Sequence, residues 1–494
     1  MTSIKAYVER LYAFMDAMRR SGVMQQGMPG ADALDDENTN VLKLIIACAM
    51  TLEGSGRSEK GEKMFAHVQS SLDYALSGRT DVKSIQLLTI TAIYEFHRDN
   101  EDASWRIIGM AARACIERGL HRRETYDSMV DDASRSEALL LFWSVYVLDR
   151  RWSFGTGKPF ALQDIDIDRQ VPRPEARSPY LSGMVRYCEI GGEVWNNTSN
   201  ATGGTGAIDK DKMNYLDYQI NQWQRTLPAS LQYTAPTRSG QPQSPELPAS
   251  RAAHRLQIVL YLRANQMRTH IYRPVLHSAT SIISHRAQAQ TVVDIAKDTI
   301  RVLTHTNQTS DLYRTQQILF NAFLTSALAV LFLAVSHTPA IFADDVRQEF
   351  FSALELVRAF SKDSFVSKKL WRTLRGLKEV GPKLGLLAID SKHGSEPDPS
   401  RSAAVAMAGL RAGLNGQEDV YAETVGHAQP WPEGNSSSPE NMANDFASLF
   451  EAAGSLASIG QGQSRASAVS RAGYESGVPG GGAEDLSGVL RELF

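Results

Sequence analysis

Along the first 390 positions, apolar residues recur at the three- and four-residue spacing of amphipathic helices. Ile4, Val8, Leu11, Met15 and Met18 share one helical face. Ile85, Leu88, Ala92 and Phe96 form a second stripe, and Trp105, Ile108, Ala112 and Cys115 a third. Residues 138–148, ALLLFWSVYVL, are apolar nearly all round, which predicts a helix at the centre of a bundle. The same spacing predicts helices over 41–52, 62–77, 181–195, 210–227, 250–273, 287–304, 311–336, 344–361 and 366–379. Runs of strict alternation, the mark of strands, are few. Asn196–Gly206, NNTSNATGGTG, is expected to be a loop. Thr234–Ser250 holds Pro236, Pro242, Pro245 and Pro248, so it cannot be one continuous helix. No fixed-period repeat suggests a regular solenoid. The expectation is an all-α fold: an irregular multi-helix bundle over 1–390, followed by a disordered C-terminal tail over 391–494.

One stretch has the length of a membrane span. Ile318–Val335 is an 18-residue apolar run, at the lower limit for crossing a bilayer. Asn321, Thr325 and Ser326 interrupt it, and its flanks show no strong Lys/Arg asymmetry. A central helix buried on all sides has the same pattern, and that is the expectation, with no membrane partner.

Charge divides the chain where periodicity does. Residues 391–494 hold six Lys/Arg and thirteen Asp/Glu, a net of -7, and 15 of the 36 glycines. The preceding 390 residues carry +4, which makes the formal net charge of -3. Such a tail buries too little apolar surface to offset its ordering entropy. Within it, Phe446, Leu449 and Phe450 stand among Asp445 and Glu451. Leu486, Leu490, Leu493 and Phe494 stand among Glu484, Asp485 and Glu492. Acidic residues keep such apolar groups in solution until a coactivator groove accepts them as a short helix, so both segments are activation-like candidates. Residues 1–20 have neither an apolar core nor a small-residue cleavage site, so a helix is expected there and not a secretory leader.

The search for catalytic chemistry is negative. The eleven histidines never fall three or four residues apart, so no helical two-histidine metal site exists. No G-x-S-x-G elbow is present. Gly157-Lys158-Pro159 lacks both features of a phosphate loop: Trp152 stands where its first glycine is needed, and Pro159 replaces Ser/Thr. Magnesium-bound diphosphate chemistry needs carboxylates on successive helical turns, but Asp344-Asp345 is followed by Gln348. Asp164, Asp166 and Asp168 alternate in an extended-looking stretch, where turn capping outweighs metal binding. An all-α enzyme is therefore disfavoured. Residues 362–383 are rich in Lys and Arg around Val366, Leu370, Leu374 and Leu377, a solvated basic face over an apolar contact.

Two adjacent blocks carry a more specific signal, Trp105–Arg122 and Glu137–Pro172. The first has a tryptophan helix with Gly109, Ala111, Ala112 and Arg113, then the turn Gly119-Leu120-His121-Arg122. The second has Trp143, Tyr146, Asp149 and Arg150 on one helix, then Gly157, Pro159, Asp164, Asp166 and Pro172 in a loop. In order and spacing these blocks resemble the middle homology region of fungal transcription factors, also called the xylanolytic-activator-type regulatory domain. Close resemblance covers 83–175. Arg118 and Lys158 depart from the usual Leu and Arg. The residues also make sense by themselves. Gly109 would let a neighbouring helix approach, Gly119 would end a helix at positive φ, and His121 reads as a turn residue. Asp149 and Arg150, at the end of an apolar helix, require partners, either backbone or each other.

The resemblance implies a nuclear transcription regulator and not an enzyme, with a helical body able to hold a small-molecule effector that the sequence does not identify. In that family DNA is read by a binuclear zinc cluster with six cysteines. Only Cys48, Cys115 and Cys188 occur here, 67 and 73 residues apart. Zinc is therefore expected only from an upstream module of a longer gene product, and DNA contact only through such a module or a partner. A dimerising relative that modulates intact family members is the alternative.

Overall fold

The computed structural model describes residues 37–380 except 78–79, 175–177, 202–208, 235–249 and 363, together with short pieces of residues 8–20. All described elements are helical, as the apolar spacing predicts. The tail over 391–494, with both activation-like segments, lies outside the described residues, as does the body's limit at residue 390. Of the first predicted helix, Val8, Glu9, Leu11–Ala13 and Arg20 are described, and they are helical.

The helices of the N-terminal half are α1 Glu37–Glu53, α2 Glu59–Ala66, α3 Gln69–Ser77, α4 Val82–His97, α5 Glu101–Glu117, α6 Asp132–Thr156 and α7 Pro179–Ala201. The C-terminal half has α8 Lys210–Thr226, α9 Arg251–Tyr272, α10 Arg286–Thr309, α11 Gln317–His337, α12 Pro339–Phe360 and α13 Phe365–Val380. Polar side chains start many of them by accepting from an orphan amide of the first turn. Asp81 accepts from Ser84 at 2.7 Å, Asp131 from Ser134 at 2.8 Å, and Asp209 from Lys212 at 3.0 Å. Packing then runs mostly between successive helices: α4 on α5, α5 on α6, α9 on α10, α10 on α11, and α11 on α12.

Some boundaries differ from the predicted ones. The helix expected over 62–77 breaks at His67–Val68, where Val68 turns fully inward to join Leu44, Leu72 and Leu87. The one expected over 311–336 breaks at Gln316, with Leu312 and Tyr313 buried in a separate short turn. Helix α7 runs into the expected loop as far as Ala201, and the first glycine of that stretch is Gly203. Helix α12 begins early because Pro339 sits in its first turn, where its missing amide costs nothing.

Helix α11 contains the 18-residue apolar run, and fifteen of its twenty-one residues are buried among other helices. Its length and composition alone would suit a membrane, but its polar residues are matched inside the protein. The Tyr313 hydroxyl donates to Asn321 at 2.8 Å, and the Asn321 amide donates to Ser367 of α13 at 3.2 Å. Ser367 in turn donates to Gln317 at 2.7 Å. Thr325 donates to the Asn321 carbonyl at 2.8 Å.

Helix α13 also closes the body onto its N-terminal half. Lys369 pairs with Asp99 at 2.6 Å, across 270 residues of sequence. The Arg57 guanidinium lies 3.9 Å from the Phe365 ring centre. Gly56, at φ +103, leaves space for Val366, whose side chain lies 2.7 Å from where a Cβ would stand. Beside this joint, Glu101 buries a carboxyl oxygen with no hydrogen-bond partner. Burial, and next the charge of Asp99, push its carboxyl up to about 8. Its protonated form therefore favours the fold. That contribution is complete below the ordinary glutamate range and is lost as pH rises through about 8. Urea unfolding of the wild type and Glu101→Gln should show the wild type losing more stability between about pH 5 and pH 9. Parallel pH profiles for the two would contradict this assignment.

Candidate functional site

The signature residues assemble on the α5–α6 pair and the loop that follows α6. Helix α5 ends in a Schellman turn. The Leu120 amide donates to the Cys115 carbonyl and the Gly119 amide to the Ile116 carbonyl, both at 2.9 Å. Gly119 lies at φ +73, and an added Cβ would meet the Thr125 hydroxyl at 2.8 Å. The expected positive φ is thus present. Leu120 is fully buried, and its carbonyl accepts from the Tyr126 hydroxyl at 2.7 Å. His121 is buried at the turn; its Nε2 accepts from Arg122 at 3.2 Å, and its carbonyl accepts from the Asp168 amide at 3.0 Å. Burial, and next the Arg122 charge, hold its imidazole below the usual histidine range.

Gly109 has a different setting from the expected one. A Cβ there would meet Ala161 and the Arg113 guanidinium at no less than 3.8 Å, an ordinary contact. Close helix approach therefore does not explain this glycine. Trp105 donates its indole N–H to Ser153 of α6 at 3.2 Å, and Ser153 donates to the Pro159 carbonyl at 3.2 Å. Lys158 sits 4.8 Å over the Trp105 ring and pairs with Asp102.

Asp149 and Arg150 are both fully buried near the end of α6. Their hydrogen-bond partners come from the loop, not from each other. The Asp149 carboxylate accepts from the amides of Ala161 at 2.9 Å and Leu162 at 3.0 Å. Burial pushes this carboxyl up, and those amides and the guanidiniums of Arg150 and Arg113 pull it back. Arg150 donates to the Leu162 carbonyl at 3.0 Å and to Asp164 at 2.7 Å. Asp164 accepts from the Tyr146 hydroxyl at 2.7 Å as well, and the Arg150 guanidinium stacks 3.9 Å from the Tyr146 ring. Gly157 allows the chain to leave α6 at φ +66. Trp143 fastens the far end of the loop by donating to the Pro172 carbonyl at 2.8 Å.

Asp164–Asp166 form one turn of 3-10 helix, which corrects the extended stretch expected there. Asp168 accepts from the amides of Gln170 at 2.8 Å and Arg123 at 3.3 Å, as turn capping predicts. Asp166 is exposed, with its charge felt by His121. Among the described residues no three His, Cys, Asp or Glu side chains are placed to hold a metal. The three cysteines are buried free thiols, and burial pushes each up to about 12, far from the thiolate a metal requires. Sequence reasoning missed a cluster behind this loop, where Arg151 and Arg263 approach Arg150. The available signal was a lone arginine, Arg263, inside the apolar run of α9.

Breaking the lock should be costly. Asp164→Ala leaves a buried guanidinium without its carboxylate and removes the Tyr146 acceptor. It should destabilise by about 2 kcal/mol, below the range for a fully enclosed pair because Asp164 is half exposed. Gly119→Ala should cost about 1–2 kcal/mol through its left-handed backbone. Urea unfolding midpoints of the full chain check both values.

Comparison with known proteins fits this geometry. Residues 38–177 match the fungal specific transcription factor domain. A Schizosaccharomyces pombe protein named an uncharacterized transcriptional regulatory protein is 29% identical over 160 residues, 29% of this chain and 21% of the relative. The negative regulator of pleiotropic drug resistance of Candida glabrata is 30% identical over 193 residues, 36% of this chain and 19% of the relative. The sorbicillinoid biosynthetic cluster transcription factor 2 of Penicillium rubens is 22% identical over 355 residues, 64% of this chain and 49% of the relative. The chain thus spans less than half the length of each of these relatives. No solved structure matches. The family is one of transcription factors and not of enzymes, and the segment from α1 to the end of the post-α6 loop, residues 38–177, is a fungal specific transcription factor domain.

Proposed function

We propose that this protein is a nuclear regulator of genes transcribed by RNA polymerase II in a fungus, acting through its helical body. The observation that carries the reading is the matched segment, whose signature residues join two helices and a loop into one hydrogen-bonded unit. In this reading Trp105, Gly119, Trp143, Tyr146, Asp149, Arg150 and Asp164 serve the fold of the regulatory body and do not contact a ligand. The helical body controls the acidic tail, or a missing DNA reader, and the tail's Phe446, Leu449, Phe450, Leu486, Leu490, Leu493 and Phe494 engage a coactivator.

DNA reading is assigned to a separate module or a partner chain. A binuclear zinc cluster needs six cysteines, and the three present are buried with raised thiols. The described residues therefore offer no ligand set for such a cluster. A gel shift with the purified 494-residue chain should show little sequence-specific DNA affinity; specific, salt-resistant binding would refute that division of labour. Residues 391–494 fused to an unrelated DNA-binding domain should activate a reporter, and alanine at the seven apolar positions should abolish the activation. An inactive fusion would remove the tail from the mechanism.

A further inference from the structure

Three arginines converge where α6, α7 and α9 meet. Arg150 and Arg151 come from the last turns of α6 and Arg263 from the middle of α9. With Tyr187, Gln266 and His270 they line a small cavity of about 10 Å³. The Nε–H groups of Arg150 and Arg151 are buried there without a hydrogen-bond partner. Arg263 is 8% exposed, and its guanidinium donates to a neutral group, the side-chain amide oxygen of Gln266, at 2.7 Å. Its guanidinium otherwise lies 4.9 Å from the Phe323 ring centre. Among the described residues, neither Arg151 nor Arg263 has a carboxylate at ion-pair distance.

Nearby carboxylates do not offset this charge. Asp164 is bound to Arg150 and half exposed, and Asp149 is occupied by the loop amides. Glu101, which feels the Arg263 charge, is nevertheless pushed up to about 8 by burial and next by Asp99, and keeps its proton at neutral pH. Burial, and next the Arg151 charge, bring Arg263 down to about 10. His270 is brought down to about 4 by burial, and next by Arg273 and Arg263, so it remains neutral. Buried cations are normally paired, so this cavity lacks a counter-charge.

We propose that the cavity binds one halide ion, held by the N–H groups of Arg151 and Arg263 beside Gln266. The volume sets the class of ligand: it has room for about one water-sized group, so a single halide suits it, and a carboxylate head or a phosphate ester does not. Guanidinium groups suit a halide, because each N–H donates to a concentrated negative charge. The site does not depend on the transcriptional reading, and its test reads binding alone.

Chlorine NMR of chloride with the full chain is the experiment, since a bound halide in slow-tumbling protein broadens the free-ion signal. The wild type should give excess line width that disappears in Arg151→Gln and in Arg263→Gln, with helical circular dichroism retained in at least the Arg151 variant, whose side chain reaches the surface. Adding formate tests the size limit. Variant-sensitive broadening that formate leaves untouched supports the halide site, and saturable recovery of a narrow line with formate overturns the single-halide assignment. Excess broadening that both variants keep, or none in the wild type, overturns the proposal.

Discussion

The constraint on which this domain depends is the burial of two adjacent charges, Asp149 and Arg150, near the end of an otherwise apolar helix. A buried carboxylate and guanidinium must be hydrogen-bonded or the fold loses more than their helix contributes. Neither can be satisfied by α6, whose own backbone groups are spent on the helix. The loop after Gly157 supplies what is missing: two amides for Asp149, a carbonyl and a carboxylate for Arg150. The path of that loop is therefore set by the charges beneath it. Tyr146 and Trp143, each one turn earlier along α6, hold the next points of the same path. The spacing of these four side chains along α6 is the spacing of attachment points on one strap.

The same logic operates at α11 with neutral groups. An apolar run of this length would pack in many registers if it were uniformly aliphatic. Asn321 and Gln317 select one, because the Asn321 amide N–H and the Gln317 amide oxygen both meet the Ser367 hydroxyl of α13. Helix α13 thereby becomes part of the core and carries Lys369 to Asp99, in the turn between α4 and α5. The N-terminal signature region and the C-terminal helices are joined by this polar contact as well as by apolar packing. Its geometry brings Glu101 into a dry, acidic corner, which is the origin of its raised carboxyl.

Much of this was legible in the residues. Helical spacing places the stripes of Ile85, Leu88, Ala92 and Phe96 and of Trp105, Ile108, Ala112 and Cys115 in the core; Phe96 and Trp105 are half-buried against it and the rest are buried. Gly119 announces its turn because few other residues tolerate positive φ there. The partners of Asp149 and Arg150 were not legible. Local sequence shows that a buried charge needs a partner but not which loop atom meets it, since Ala161 and Leu162 act through their backbone. The break at His67–Val68 was also hidden, because it is caused by a long-range contact of Val68 with Leu44 and Leu87 and not by a local helix breaker. Gly109 looked like a close-approach glycine, and the space beside it shows that composition alone overstated its role.

Arg150 connects the strap to the arginine cavity. Two of its nitrogens face the loop, at Leu162 and Asp164, and its Nε–H is buried and unpaired on a guanidinium that also lines the cavity. A negative charge beside Arg151 and Arg263 would attract the same cation that Asp164 attracts. The two sites then draw on one guanidinium and are energetically linked. By reciprocity, the factor by which a bound anion changes the loop's hold on Arg150 equals the factor by which the engaged loop changes anion affinity, in the direction set by whether the two partners compete for the cation or jointly neutralise it. Joint neutralisation is the arrangement the geometry favours, since the loop and the cavity engage different nitrogens. An anion in the cavity would then offset the repulsion among Arg150, Arg151 and Arg263 and tighten the loop that the family signature builds.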